Sequence, residues 1–152
     1  MQVKDVFKLP ATILFILGIV DLIRGFMHTF VLNWSAANVA KLNVANTASD
    51  QIFLLGVFGI SNFLTGTIYI LISRKARELS PYILLIIPLT YLFGLIGIWS
   101  NHVHAKSAFE GQYFMYGYFA ICTITFCIFL FTRQCSFNKS SLLQSKGDIH
   151  NE

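Results

Sequence analysis

Residues 10–32 read PATILFILGIVDLIRGFMHTFVL, an apolar run in which Asp21 and Arg24 are the only acidic or basic residues apart from His28. A helix needs about 20 mostly apolar residues to cross the roughly 30 Å hydrocarbon core of a bilayer. This run is long enough, and its carboxylate stands near its centre. A charge at that depth costs about 2.5–3.5 kcal/mol on insertion scales, so it marks a functional site by default. The stretch therefore predicts a first membrane span that carries a polar site.

Three further apolar segments, 52–73, 81–101 and 111–132, contain no Asp, Glu, Lys or Arg. The whole chain of 152 residues is 55% hydrophobic and 12% charged, whereas soluble domains carry about 25% charge. We predict an all-α integral membrane protein, a four-helix transmembrane bundle formed by residues 1–132. The polar, Ser-rich residues 133–152 are predicted to be a flexible cytoplasmic tail. This composition excludes intrinsic disorder and a disulfide-stapled secreted module.

Lysine and arginine are distributed unevenly between the two sides of these spans. Eight of the 11 lie before the first span, between the second and third, and in the tail, whereas the other two loops hold only Lys41 and Lys106. Positively charged loops stay in the cytoplasm, so both termini are predicted to be cytoplasmic. The net charge of +4 follows from this bias and does not indicate nucleic-acid binding. The abundance of Ile, Phe, Asn and Lys suits a bacterial inner membrane.

Each span carries one face of small or polar residues, spaced alternately three and four apart. These faces are Gly18, Asp21, Gly25 and His28 on the first span; Gly59, Asn62, Gly66, Tyr69 and Ser73 on the second; Thr90, Gly94, Gly97 and Asn101 on the third; and Tyr113, Tyr116, Ala120, Thr123 and Cys127 on the fourth. Such faces join membrane helices through close contact and hydrogen bonds. We expect the four faces to converge, or, in the simpler interpretation, only to hold the bundle together.

Asp21 and Arg24 are three residues apart and can form an ion pair on one helix face. Asn62, Thr90 and Thr123 stand near the centres of the other three spans. If the polar faces converge, these three side chains surround Asp21 at one depth. We therefore predict a ligand- or proton-binding site formed by Asp21, Arg24, His28, Asn62, Thr90 and Thr123, with Asp21 as the reversible proton acceptor.

His28 lies seven residues beyond Asp21, about 10 Å nearer the outside at a rise of 1.5 Å per residue. Neutral imidazole is a common ligand of metals and haem. We predict no cofactor and no catalytic residue; a haem or divalent-metal site that uses His28 and His104 is the weaker alternative. The sequence contains no nucleotide-binding loop, CxxC, HExxH or GxSxG motif.

Three functions of different classes fit this pattern. The leading hypothesis is a bundle that binds or translocates a proton, an ion or a small molecule, acting as a homodimer because a single bundle is narrow. The second is an accessory or assembly subunit, in which Asp21 and Arg24 pair with charges on a partner membrane protein. The third is a membrane enzyme with histidine ligands. The bilayer itself is a partner in every case.

Overall fold

The chain is all-helical in a computed structural model that describes residues 6–38, 49–100 and 111–148. Its helices are α1 (Lys8–Phe30), α2 (Leu32–Asn38), α3 (Ser49–Lys75), α4 (Ser80–Ser100) and α5 (Gly111–Asp148), with a 3₁₀ turn at Arg77–Leu79 before α4. Four helical stretches are long and apolar enough to cross a membrane: Lys8–Phe30, Ser49–Lys75, Arg77–Ser100 and Tyr113–Cys135. The four helices predicted from hydropathy are therefore confirmed.

The helix boundaries differ from the predicted ones mainly at the polar ends. Helix α3 begins at Ser49 and ends at Lys75, so it includes polar residues on both sides of the predicted span 52–73. Helix α5 continues to Asp148. Most of the predicted tail 133–152 is thus a helical extension of the fourth span, while its mobility and the domain division at residue 132 remain predictions.

Helix α1 is the central element, because it contacts every other helix and its longest interface is with the antiparallel α3. The predicted polar face of α1 is buried in full: Gly18, Asp21, Gly25 and His28. The corresponding face of α3 is buried at Gly59, Asn62, Gly66 and Ser73, and Tyr69 is half-buried. The prediction that these two faces meet is confirmed.

Paired glycines allow α1 and α3 to approach this closely. A Cβ atom on Gly66 would lie 2.7 Å from the carbonyl oxygen of Gly18, and one on Gly25 would lie 3.0 Å from the carbonyl oxygen of Gly59. Both distances are shorter than a carbon–oxygen contact normally allows, so a larger residue would force the backbones apart. The seven-residue spacing within each helix places the two glycine pairs two turns apart along the same seam.

The apolar core joins α1 to the α4–α5 pair near the start of α1, which we call the Lys8 end. Its buried members are Leu14, Leu17, Leu84, Tyr118 and Cys122. Toward the opposite end, which we call the His28 end, packing becomes loose. No residue from Leu89 to Ser100 is buried, and Tyr118 is the first buried residue of α5 counted from Tyr113. The α1–α3 and α4–α5 pairs are therefore packed tightly at the Lys8 end only.

Candidate polar site around Asp21

Asp21 lies between the two glycine pairs and is only 5% exposed. Its Oδ1 atom is 3.5 Å from the Arg24 guanidinium, one turn further along α1. Its Oδ2 atom accepts a hydrogen bond of 3.1 Å from the hydroxyl of Tyr118, 97 residues away on α5. The predicted ion pair is thus present, and the carboxylate has a second partner from a different helix.

Arg24 leads from this carboxylate toward the His28 end. Its side chain keeps 24% of its surface exposed, compared with 7% for Asp21. Its guanidinium carbon lies 5.7 Å from the centre of the Phe58 ring, within the range of a cation–π contact. Arg24 is therefore the more exposed member of the ion pair.

Asn62 occupies the place on α3 that Asp21 occupies on α1, between the two glycines of its helix. It is 6% exposed, and its Nδ2 atom is buried without a hydrogen-bond partner among the residues that the structure describes. An unpaired buried amide costs about 1–3 kcal/mol, so native proteins rarely keep one without a reason. Asn62 thus lies in the predicted buried polar layer. Its Nδ2 atom is still able to donate a hydrogen bond to an acceptor.

His28 is buried at 8% exposure by a feature that the sequence analysis did not identify. Helix α1 ends at Phe30, the chain bends at Val31, and α2 follows so that the Ser35 hydroxyl lies 2.7 Å from the His28 Nδ1 atom. Its imidazole also lies 6.4 Å from the Phe58 ring, the ring that Arg24 contacts. Ser35 thus holds His28 in place and covers it.

Thr90 and Thr123 do not reach this site, and the expectation that all four polar faces converge is wrong for α4 and α5. Both threonines are exposed. The Thr90 hydroxyl donates instead to carbonyls of its own helix, at Ile86 and Ile87. Most faces of these two helices are apolar. The spacing of their small and polar residues therefore does not determine which face packs inward.

Helix α5 buries a different face, formed by Tyr118, Cys122, Thr125 and Phe129. These residues follow the helical spacing of four, three and four, so the signal was present in the sequence. This spacing does not distinguish a buried face from a lipid-facing one, because a mixed aromatic and apolar face is also typical of a surface that contacts lipid. Tyr118 is therefore a candidate site residue that the predicted polar face of the fourth span did not include.

In the described part of the chain, no group of three or more His, Cys, Asp or Glu side chains is close enough to hold a metal ion. His104 lies outside the described residues. The Nδ1 atom of His28 is engaged by Ser35, which leaves Nε2 as its only free ring nitrogen.

Chemically, the site combines a carboxylate, a guanidinium, a phenol and an unpaired amide in one buried layer. The carboxylate can take up a proton, and the phenol can follow it as a donor to either protonation state. The guanidinium and the amide can donate hydrogen bonds to a polar guest. The arrangement can therefore bind a proton or a small molecule with hydrogen-bond acceptors.

No protein-family model matches this sequence, and no curated protein or solved structure is similar to it at a significant level. The function must therefore be inferred from the site itself.

Proposed function

We propose that this chain is a multi-pass membrane protein whose Asp21 site binds or passes a proton or a small polar molecule. The surface of the helices supports membrane insertion, because large apolar side chains cover it. Phe93 and Phe114 are each 79% exposed, and Phe30 and Phe131 are each 70% exposed. Water would make such a surface aggregate, whereas lipid solvates it.

The orientation proposed from the charge bias places both termini on the cytoplasmic side of a bacterial inner membrane. The exposed Trp34, Trp99, Tyr113 and Tyr116 all belong to the His28 end, which is consistent with a membrane–water interface at that end. Tryptophan and tyrosine favour the membrane–water interface. The cations Lys8, Arg74 and Arg77 are at the other end. The His28 end would then face the outside.

The single observation that carries the proposed function is the bond between Tyr118 and Asp21. A buried ion pair is often no more stable than an apolar replacement, so its presence in an apolar helix demands a further reason. Here a third side chain from α5 is directed at the same carboxylate, and the amide of Asn62 remains unpaired in the same layer. A layer built with spare hydrogen-bonding capacity is suited to a guest.

Access would come from the His28 end, where the two helix pairs are loosely packed. A molecule entering between α4 and the α1–α3 pair would meet Arg24 before Asp21, because Arg24 is the more exposed of the two. Tyr118 stands at the boundary where α5 becomes buried. The site is thus at the inner limit of the loosely packed half.

The test is a comparison of reconstituted vesicles that contain the native protein or the double variant Asp21→Asn/Arg24→Gln. Removing both charges avoids a lone buried charge, which typically costs about 3–5 kcal/mol and could prevent assembly. A potassium diffusion potential drives proton uptake, which an entrapped pH dye reports. Native mass measurement of the same samples detects a bound small molecule.

We expect the double variant to insert normally but to lose proton uptake and any bound molecule. Thr123→Val is the control, because Thr123 is exposed and lies outside the buried face of α5, and it should behave as the native protein. If the native protein and the double variant are indistinguishable in both measurements, the proposed function is wrong.

A second candidate function, an accessory or assembly subunit of a membrane complex, is favoured by the exposed polar face of α4. Thr90 and Gly94 lie on the outer surface, and a Cβ atom on Gly94 would meet nothing within 4 Å. Small residues of this kind allow another membrane helix to approach closely. Native mass measurement in mild detergent would detect the copurified subunit or second copy, and Gly94→Leu should release it.

A further inference from the structure

A cleft at the Lys8 end is separate from the Asp21 site. It lies between the start of α1, the end of α3 and the 3₁₀ turn, and it has a volume of about 250 Å³. Its polar wall is formed by Lys8, Arg74 and Arg77, while Ala11 and Phe15 give it an apolar floor. Thirteen residues of helix separate Lys8 from Asp21, about 20 Å along the axis of α1.

The three cations of this cleft have no acidic partner in the described part of the chain. No carboxylate lines the cleft, and the one ion pair among the described residues is that of Asp21 with Arg24. Among the described residues, the lining of the cleft therefore carries about three positive charges and no carboxylate. Like charges so arranged repel one another unless an anion lies between them.

Helix-end electrostatics explains only one of these three cations. Arg74 is in the last turn of α3, where a cation interacts favourably with the helix dipole. Lys8 is in the first turn of α1, where the dipole disfavours a cation, and Arg77 lies in the short turn beyond α3. Helix-end electrostatics thus leaves Lys8 and Arg77 unexplained, and the cleft brings them together with Arg74 in addition to their part in the charge bias along the chain.

Arg74 is also held in position for binding. Its guanidinium carbon lies 4.5 Å from the centre of the Phe15 ring, close enough for stacking. Stacking on an aromatic face restricts the side chain before a ligand arrives, which reduces the ordering cost of binding. Guanidinium groups present two parallel donors that match the oxygens of phosphate.

We infer that this cleft is a phosphate-binding site, formed by Lys8, Arg74 and Arg77. Its volume is several times the roughly 30 Å³ that a water molecule occupies in the liquid, so a tetrahedral oxyanion has room. The phosphate belongs either to an anionic phospholipid headgroup, with its glycerol on the apolar floor, or to a free phosphate compound. The lipid source rests on the proposed membrane placement, and neither source depends on the Asp21 site.

The test uses the full chain purified in mild detergent and two probes, phosphatidylglycerol and inorganic phosphate. Native mass spectrometry counts bound phosphatidylglycerol, with phosphatidylcholine as the zwitterionic reference. Calorimetry measures inorganic phosphate at constant ionic strength. The variant is Arg74→Gln/Arg77→Gln, and the matched control is Lys75→Gln, which removes one exposed cation at the same helix end outside the cleft.

We expect binding of at least one probe to weaken about tenfold or more in the double variant, since two cations near an anion are removed. Lys75→Gln should stay within about twofold of the native protein, because its charge is outside the cleft. Binding of phosphatidylglycerol alone identifies a lipid headgroup, and binding of inorganic phosphate identifies a free anion. If the double variant does not assemble, the exposed Arg77→Gln and Lys8→Gln decide the matter separately.

Two results would overturn the inference. One is that neither probe binds the native protein better than phosphatidylcholine or chloride does. The other is that Lys75→Gln weakens binding as much per charge removed as the cleft variants do, which would mean that only the general positive charge of this end attracts anions.

Discussion

Asp21 has two partners of different origin, and this difference decides what each contributes. Arg24 is a neighbour on the same helix and would be close to Asp21 in any helical state. Tyr118 comes from α5, so its hydrogen bond forms only when the helices are assembled. The Tyr118 hydroxyl therefore reports on the tertiary structure of the site, whereas the ion pair reports mainly on the helix.

Replacing Tyr118 with Phe removes this donor and keeps the ring in the core. We expect a loss of about 0.5–2 kcal/mol in the free energy of unfolding, the range for a hydrogen bond between membrane helices or to a charged group. Thermal unfolding in detergent measures it. Tyr116→Phe is the matched control, because Tyr116 is 56% exposed and should change nothing. Equal stability of the two variants would show that the bond is not formed in solution.

The bond between His28 and Ser35 gives a second prediction at the level of single residues. Ser35→Ala leaves the Nδ1 atom of a buried imidazole without its partner, which costs about 1–3 kcal/mol. Ser61→Ala, at an exposed serine of α3, should be neutral. Thermal unfolding of both variants is the measurement. A neutral Ser35→Ala would mean that α2 does not cover His28.

The α1–α3 pair depends on backbone contact at its glycines more than on side-chain interdigitation. A Cβ atom on Gly18, Gly25 or Gly66 would lie within 3.0 Å of a carbonyl oxygen of the facing helix, and one on Gly59 would lie against His28 and Thr29 of α1. Membrane helices gain no hydrophobic free energy by associating, so close backbone contact and dispersion supply the attraction. This explains why the two helices that share the longest interface are also the two with paired glycines.

Gly66→Ala therefore tests the pairing of these helices. Its Cβ atom would lie 2.7 Å from the Gly18 carbonyl oxygen, which belongs to rigid backbone. We expect a loss of about 1–3 kcal/mol in stability, as for overpacking in other cores. Gly94→Ala makes the same change where nothing lies within 4 Å, so it should stay within about 1 kcal/mol of the native protein, the difference in helix propensity. A Gly66→Ala protein as stable as Gly94→Ala would contradict the close contact.

At the scale of the whole molecule, the two ends of the bundle differ in packing and in charge. The Lys8 end contains the apolar core and the basic cleft, whereas the His28 end is loosely packed and carries the exposed Trp34, Trp99, Tyr113 and Tyr116. Under the proposed orientation, the tightly packed Lys8 end would face the cytoplasm and the loosely packed His28 end would face the outside.

The proposed topology can be checked with reporter fusions along the chain. A fluorescent protein that folds only in the cytoplasm should be active when fused after Ala76 or Glu152. Alkaline phosphatase should be active after Asn43 or Lys106, because the loops that contain them have few cations. Phosphatase activity at Glu152 would show that the orientation is reversed or that the chain crosses the membrane an odd number of times.

Helix number, helix character and one half of the packing could be predicted from the sequence alone. Four apolar runs predict four long helices, because hydrogen bonding within a helix is what an apolar surrounding requires. The inward faces of α1 and α3 were also predictable, since glycine and polar residues there stand out against Leu, Ile and Phe. Asp21, His28 and Asn62 are buried as those faces require, and Arg24 is partly exposed.

Only the tertiary structure decided how α4 and α5 are rotated and where the chain bends after α1. Both helices are apolar on most of their faces, so their composition favours no single rotation about the helix axis. In the structure Thr90 and Thr123 are exposed, whereas Tyr118 is buried. Ser35 reaches His28 because the chain bends at Val31, a contact that depends on the path of the backbone. The basic cleft likewise unites Lys8 with Arg74 and Arg77 from distant parts of the sequence. Such juxtapositions arise from packing between helices, which residue spacing within one helix does not encode.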